Sequence, residues 1–197
     1  MITNNFKKHT SKNPLKQLFI NNFFNVIFNE LRGLEIDSVL DVGCGEGFTL
    51  KKLKEKGILR QGSGQVGQKF VGIDASKEAI SLGKKENPEL NLEIGDIYKL
   101  KFTDKSFDLV LCNEVFEHLE NPEKALAELK RVSKKFILLS VPNEPWFYLF
   151  NYTQWGKNIG HINKWSAGKF KKFIESQGLE ILTTKTPFPW TVLFCKI

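Results

Sequence analysis

The stretch Val39-Leu40-Asp41-Val42-Gly43-Cys44-Gly45-Glu46-Gly47 decides the fold of this 197-residue chain. A short apolar run leads into three glycines at alternate positions, and a segment with helical spacing follows at 46–56. Glycine adopts unusual backbone dihedrals and lets other groups approach the backbone closely. The stretch therefore predicts a buried strand, a tight turn and a helix, in that order.

The same alternation of apolar runs and helical segments continues along the chain. The predicted strands lie at 38–43, 69–74, 90–96, 106–113 and 134–141, and the predicted helices at 46–56, 76–85, 122–132 and 166–176. Such alternation is typical of a parallel sheet covered by helices on both faces. Two closely spaced runs, 179–186 and 191–197, predict a C-terminal antiparallel hairpin. The expected fold is α/β: a Rossmann-like three-layer sandwich with a seven-stranded, mostly parallel sheet.

The whole chain, 1–197, is expected to form a single domain. Apolar residues spaced by three and four predict a helix over 14–31, with Asn13 as its cap and Pro14 in its first turn. This helix belongs to an N-terminal cap at 1–33. Residues 60–68, RQGSGQVGQ, have almost no apolar content and predict a mobile loop.

Composition limits the classes of function. The net charge is +7, but the lysines are dispersed over predicted helices, which favours solvated faces over a polyanion-binding surface. The three cysteines are odd in number and lie in or beside apolar runs, as expected of reduced thiols. The amino-terminal residues do not resemble a secretory signal, and no apolar run is long enough to span a membrane. A cytoplasmic protein is expected, and peripheral contact with a membrane stays open.

Polar residues follow the predicted strands at their carboxyl ends. Asp74 ends the second strand, Gly95-Asp96-Ile97 follows the third, and Asn113 ends the fourth. In an open α/β sheet these ends form the ligand crevice, and a carboxylate after the second strand can accept hydrogen bonds from a ribose. We expect these groups to converge with the glycine turn.

With these motifs, the chain resembles the class I S-adenosylmethionine-dependent methyltransferases that act on small molecules and lipids. The resemblance runs from about 37 to 143, and its most characteristic part is 107–119, FDLVLCNEVFEHL. It implies that Asp41 faces the methionine amino group, that Asp74 holds the ribose, and that Asp96 contacts adenine. The implied cofactor-binding residues are Asp41, Gly43, Cys44, Gly45, Gly47, Asp74, Ala75, Asp96, Ile97 and Asn113. One departure is the 27 positions from Gly47 to Asp74 against about 20 in the usual pattern, and the loop at 60–68 accounts for the excess.

The resemblance implies direct displacement of a methyl group from a sulfonium, for which proximity and exclusion of water are the main requirements. A general base is needed only if the acceptor must lose a proton. His118, after the fourth strand, and His161, in a loop after the fifth, are the candidate catalytic residues. Each also has a structural interpretation as an ordinary packing or capping residue.

Residues 143–165 are expected to form an insert on the substrate side. Six aromatic residues lie within 146–155, where they suit either an apolar acceptor pocket or the core of an insert helix. The first interpretation implies a small-molecule or lipid-like acceptor, such as a quinone precursor.

Two other classes of function stay open at this level. An NAD-dependent oxidoreductase shares the turn and the ribose carboxylate, but Phe48 stands where the dinucleotide fingerprint has its last glycine. A scaffold could keep the fold and the cofactor without turnover. Nucleic-acid methylation is disfavoured because no Asn/Asp-Pro-Pro-aromatic signature follows the fourth strand. No metal is predicted, since no cluster has metal-ligand spacing along the chain, and the oligomeric state is not indicated.

Overall fold

The computed structural model describes residues 3–58, 69–144, 146 and 160–197. The predicted loop at 60–68 lies outside the described residues. So does most of the predicted insert at 143–165, including all but one of its six clustered aromatic residues.

Seven strands form one mixed sheet in the order β3-β2-β1-β4-β5-β7-β6. The strands are β1 Ser38–Val42, β2 Lys69–Asp74, β3 Asn91–Ile94, β4 Phe107–Asn113, β5 Ser133–Pro142, β6 Glu180–Lys185 and β7 Trp190–Lys196. Strands β1 to β5 pair in parallel, whereas β7 is antiparallel to both β5 and β6. The predicted mostly parallel sheet with a C-terminal antiparallel hairpin is therefore confirmed.

Six α-helices surround the sheet in the described part of the chain. They are α1 Asn4–His9, α2 Pro14–Leu31, α3 Phe48–Glu55, α4 Lys77–Glu86, α5 Pro122–Val132 and α6 Ala167–Ser176. Helix α2 begins as predicted, because the Asn13 side chain accepts hydrogen bonds from the first-turn backbone and Pro14 lacks an N–H that would need a partner. Helix α1 is an addition to the predicted elements.

The core is divided by the sheet into two apolar clusters. One cluster packs α5 and α6 against alternate residues of the central strands, such as Leu40 and Val110. The other cluster packs α2, α3 and α4 against the intervening residues of the same strands, such as Val39 and Leu109, on the opposite face of the sheet. Side chains alternate between the faces of a strand, so this division shows helices on both faces. The three-layer arrangement is that of the predicted fold.

The strand order reverses between β1 and β4, because the chain moves outward from β1 through β2 to β3 and then returns beside β1. Ligands of open α/β sheets bind outside the carboxyl ends of the strands at such a switch point. The glycine turn after β1 and the segment after β4 both begin at this edge.

Helix α4 packs directly on the glycine turn through Gly83. A Cβ atom at this position would lie 2.8 Å from the carbonyl oxygen of Glu46 and 2.7 Å from a methyl group of Leu92. We expect Gly83→Ala to destabilise the protein by about 1–3 kcal/mol, the usual cost of overpacking, although alanine is the better helix former.

The matched control is Gly168→Ala in α6, where a Cβ atom meets nothing within 4 Å. That change should stabilise the protein by at most about 1 kcal/mol. Urea unfolding monitored by circular dichroism measures both effects. A Gly83→Ala protein as stable as the Gly168→Ala protein would contradict the packing described here.

Candidate cofactor site

The turn after β1 is tied to the end of β2. The backbone N–H groups of Gly43 and Cys44 both donate to the carbonyl of Ile73, at 2.8 and 3.0 Å. The next N–H, that of Gly45, donates to Oδ2 of Asp74 at 2.8 Å. The two loops predicted to meet at the ligand crevice are therefore hydrogen-bonded to each other.

All three glycines of the turn have positive φ values: +78° at Gly43, +55° at Gly45 and +83° at Gly47. Side-chain-bearing residues rarely adopt this region. A Cβ atom at Gly43 would also overlap the side chain of Val115, which follows β4. The close approach of the first and fourth loops thus requires glycine at this position.

Asp74 has a structural role that the sequence did not indicate. Its Oδ1 accepts a hydrogen bond from Ser76 N–H at 2.8 Å while its Oδ2 holds the Gly45 N–H. A carboxylate has about four acceptor sites, so both oxygens retain capacity for the two hydroxyls of a ribose.

Two polar side chains at the base of the crevice have atoms without a hydrogen-bond partner among the described residues. Asp41 is buried, and its Oδ2 is one of these atoms, as are both amide atoms of Asn113. Burial, and then the neighbouring Asp74, raise the pKa of Asp41 to about 7. Buried polar groups are nearly always hydrogen-bonded, so these atoms fit a site that receives a polar or cationic ligand.

A cavity of about 1180 Å³ opens at this edge of the sheet. Eleven of the twelve residues predicted for cofactor binding or catalysis line it: Asp41, Gly43, Cys44, Gly45, Asp74, Ala75, Asp96, Ile97, Asn113, His118 and His161. The exception is Gly47, which precedes α3 and faces Leu90 and Leu92 instead. Burial raises the pKa of the Cys44 thiol well above its ordinary value, so Cys44 lines the cavity as a neutral thiol.

Helix α1 covers part of this cavity. Thr3 Oγ1 and Asn5 Nδ2 donate to the two carboxylate oxygens of the buried Glu46, the latter at 2.6 Å. Lys8 Nζ forms an ion pair with Glu114 at 2.7 Å. These contacts join the amino-terminal segment to the loops after β1 and β4, and the sequence analysis identified none of them.

The two candidate catalytic histidines lie together although they are 43 positions apart. Their ring centroids are 5.0 Å apart, and His118 Nδ1 lies 3.0 Å from the carbonyl oxygen of Gly160. Burial, and then His118, lower the pKa of His161 to about 4. The His161 ring is therefore neutral at physiological pH, and its Nδ1 lies 3.9 Å from Oε1 of Glu144.

Glu114 and Glu117 are site residues that sequence reasoning left without a role. They lie in the same 107–119 segment as His118, with the spacing Glu-x-x-Glu-His. Glu117 is 2% exposed, and its Oε2 is without a hydrogen-bond partner in the described residues. A buried glutamate beside two histidines indicates a functional site. The sequence alone could not place His161 beside Glu117 and His118.

The arrangement defines a nucleoside-binding α/β protein: a glycine turn after β1, a carboxylate after β2 and a shared cavity at the switch point. The comparisons with known proteins make the class more specific. Residues 40–136 match the family model described as a methyltransferase domain.

Curated relatives agree with this match. An uncharacterised methyltransferase of Schizosaccharomyces pombe is 36% identical over 109 residues, which cover 50% of this chain and 36% of that protein. A ubiquinone biosynthesis O-methyltransferase of Alkalilimnicola ehrlichii is 31% identical over 128 residues, which cover 61% and 48%. The chain thus spans about half or less of the length of these relatives.

Among solved structures, a methyltransferase from Aquifex aeolicus that is dependent on S-adenosylmethionine superimposes with a TM-score of 0.68. The match covers 88% of this chain and 89% of that one at 21% identity, which shows a shared fold. The match to the methyltransferase domain and these relatives support a class I S-adenosylmethionine-dependent methyltransferase. Among the described helices, none is long and apolar enough to cross a lipid bilayer.

Proposed function

We propose that this chain transfers a methyl group from S-adenosylmethionine to a small-molecule or lipid-like acceptor, by direct displacement, in the cavity at the switch point. The observation that carries the proposal is the convergence of eleven predicted site residues on one cavity. Small-molecule sites usually occupy about 300–1,000 Å³. A cavity of about 1180 Å³ can therefore hold a cofactor together with a second molecule.

The cofactor-binding residues divide between the two ends of the cavity. Asp41 receives the ammonium group of the methionine end, and its buried position strengthens the attraction. Asp74 accepts hydrogen bonds from the ribose hydroxyls, while Asp96 and Ile97 border the adenine. The backbone of the turn at 43–45 leaves room for the chain of the cofactor because its glycines carry no side chains.

Bound S-adenosylmethionine supplies a methyl group already activated on a sulfonium. The protein has to orient the acceptor in line and exclude water. Helix α1 covers the cavity, and His118 and His161 on its wall are the groups placed to take a proton from an acceptor hydroxyl or to hold its oxygen. Two features favour an aromatic or quinone-type hydroxyl as the acceptor: the ubiquinone O-methyltransferase relative and the six aromatic residues in 146–155.

The test uses methyl-labelled S-adenosylmethionine with metabolite and lipid extracts, followed by mass identification of the labelled product. We expect one or a few small products gaining a methyl group, with none formed by the Asp74→Ala protein. Binding of the cofactor without any labelled product across both extracts would instead support the scaffold hypothesis. Label appearing in nucleic acid rather than in small molecules would contradict the proposed acceptor class.

A further inference from the structure

Three potential metal ligands meet on the cavity wall, although they come from two separate segments. Glu117 and His118 belong to a short 3₁₀ helix at Phe116–His118, after β4. His161 lies between β5 and α6. Their ligand atoms all lie within 4.8 Å of one another. We infer that Glu117, His118 and His161 form a binding site for a divalent transition-metal ion such as Zn²⁺.

The buried carboxylate of Glu117 supports a cation at this place. Glu117 is 2% exposed, and its Oε2 makes no hydrogen bond within the described part of the chain. Burying a carboxylate without a partner is costly, and such groups in proteins are paired or coordinate metals. A bound cation would supply a partner for Oε2.

The orientation of His118 points to the same conclusion. A carbonyl oxygen can only accept a hydrogen bond, so the nitrogen facing Gly160 O at 3.0 Å, Nδ1, carries the proton. The other ring nitrogen, Nε2, lies 4.0 Å from Glu117 Oε1. An ion placed between these two atoms can bind both of them. Metal-binding histidines characteristically donate their other ring N–H to a carbonyl or carboxylate.

The backbone holds the His161 segment against the 3₁₀ helix. The N–H groups of Ile162 and Asn163 both donate to the carbonyl of Glu117, at 2.8 and 3.0 Å. The Asn163 side chain also donates to the carbonyls of Phe116 and Leu119, at 3.0 and 2.7 Å. These hydrogen bonds fix His161 beside its partners, as a preorganised site requires.

The donor set and its spacing suit such an ion. Two imidazole nitrogens and one carboxylate are a common catalytic zinc arrangement, with metal–ligand distances of about 2.0–2.2 Å and a fourth position open. Ligand atoms around one tetrahedral ion are then about 3.4 Å apart, so adjustments of up to about 1.4 Å close the site.

The open position of the ion would face the cavity, because all three ligands line it. A hydroxyl bound there loses its proton more readily than in water. The inference goes beyond the proposed function, and metal binding is measured with neither cofactor nor acceptor present, so either can fail without the other.

The first test is calorimetric titration of the chelator-treated full chain with Zn²⁺. We expect one ion per chain. Affinity for Zn²⁺ should fall by about 100-fold or more in the Glu117→Gln, His118→Ala and His161→Ala proteins. The loss should be this large because changing residues that only support the ligands already costs about 10–100-fold. Glu123→Gln, an exposed carboxylate in the first turn of α5, is the control and should keep wild-type affinity.

Histidine ring signals in nuclear magnetic resonance give a second readout that needs no variant. Zn²⁺ should shift the signals of His118 and His161 and leave those of His9, the third histidine of the chain, unchanged. Wild-type protein that binds Zn²⁺ no more tightly than the Glu117→Gln protein would overturn the inference. So would signals of His118 and His161 that do not respond to one equivalent of Zn²⁺.

Discussion

Replacing Asp74 by alanine should weaken S-adenosylmethionine binding by at least about 100-fold. The change removes the acceptor for two ribose hydroxyls, and hydrogen bonds to a charged group contribute about 1.5–3 kcal/mol each. It also releases the N–H groups of Gly45 and Ser76, which Asp74 holds at 2.8 Å. The glycine turn thus loses one of its three hydrogen bonds to β2, that of Gly45, together with the ligand contact. Isothermal titration with S-adenosylmethionine measures the effect.

Asp104→Ala is the matched control for this change. Asp104 pairs with Arg131 at 2.9 Å, its side chain is 75% exposed, and it is not a cavity-lining residue. Its removal should leave cofactor affinity unchanged. Equal binding by the Asp74→Ala and wild-type proteins would show that Asp74 does not bind the cofactor. It would also show that the second strand is wrongly aligned with the family pattern.

Replacing Asp41 by asparagine should stabilise the cofactor-free protein at pH 8 while weakening cofactor binding. Burial, and then Asp74, raise the pKa of Asp41 to about 7 from an ordinary value of 3.8. Between these pH values the folded protein keeps a proton that the unfolded chain has lost, so stability falls as pH rises through this window. Above about pH 7 the loss of folding stability is complete and amounts to at most about 4 kcal/mol. Asparagine carries no charge, so the Asp41→Asn protein avoids this loss.

Urea unfolding at pH 4 and at pH 8 measures this effect, with the stability gain of Asp41→Asn expected at pH 8 and absent at pH 4. Asp108→Asn gives the opposite sign at pH 8. That buried carboxylate accepts hydrogen bonds from Asp37 N and Ser38 Oγ, and it pairs with Lys135 at 3.1 Å. An Asp41→Asn protein less stable than wild type at pH 8 would show that the Asp41 carboxylate already has a stabilising partner in the cofactor-free state.

The sequence predicted those parts of the fold whose causes are local. Asn13 and Pro14 mark the start of α2, and the glycines at 43, 45 and 47 mark the turn after β1, because capping and backbone conformation depend on neighbouring residues. The strand ends at Asp74 and Asn113 could be predicted to lie close together, because parallel strands end at one edge of a sheet.

The parts that were missed depend on contacts between distant positions. Helix α1 has six residues and no buried side chain, so apolar periodicity could not reveal it. Its position depends on contacts such as the ion pair between Lys8 and Glu114, which are 106 positions apart. The cluster of Glu117 with His161 was missed for the same reason, since metal-ligand spacing along the chain detects only ligands from nearby positions.

The central claim is that the loops after the first four strands bind an adenosyl sulfonium cofactor. Isothermal titration of the full chain with S-adenosylmethionine and, separately, with NAD tests it most directly. We expect one binding site for S-adenosylmethionine and no heat with NAD. Saturable binding of NAD, with none of S-adenosylmethionine, would contradict it.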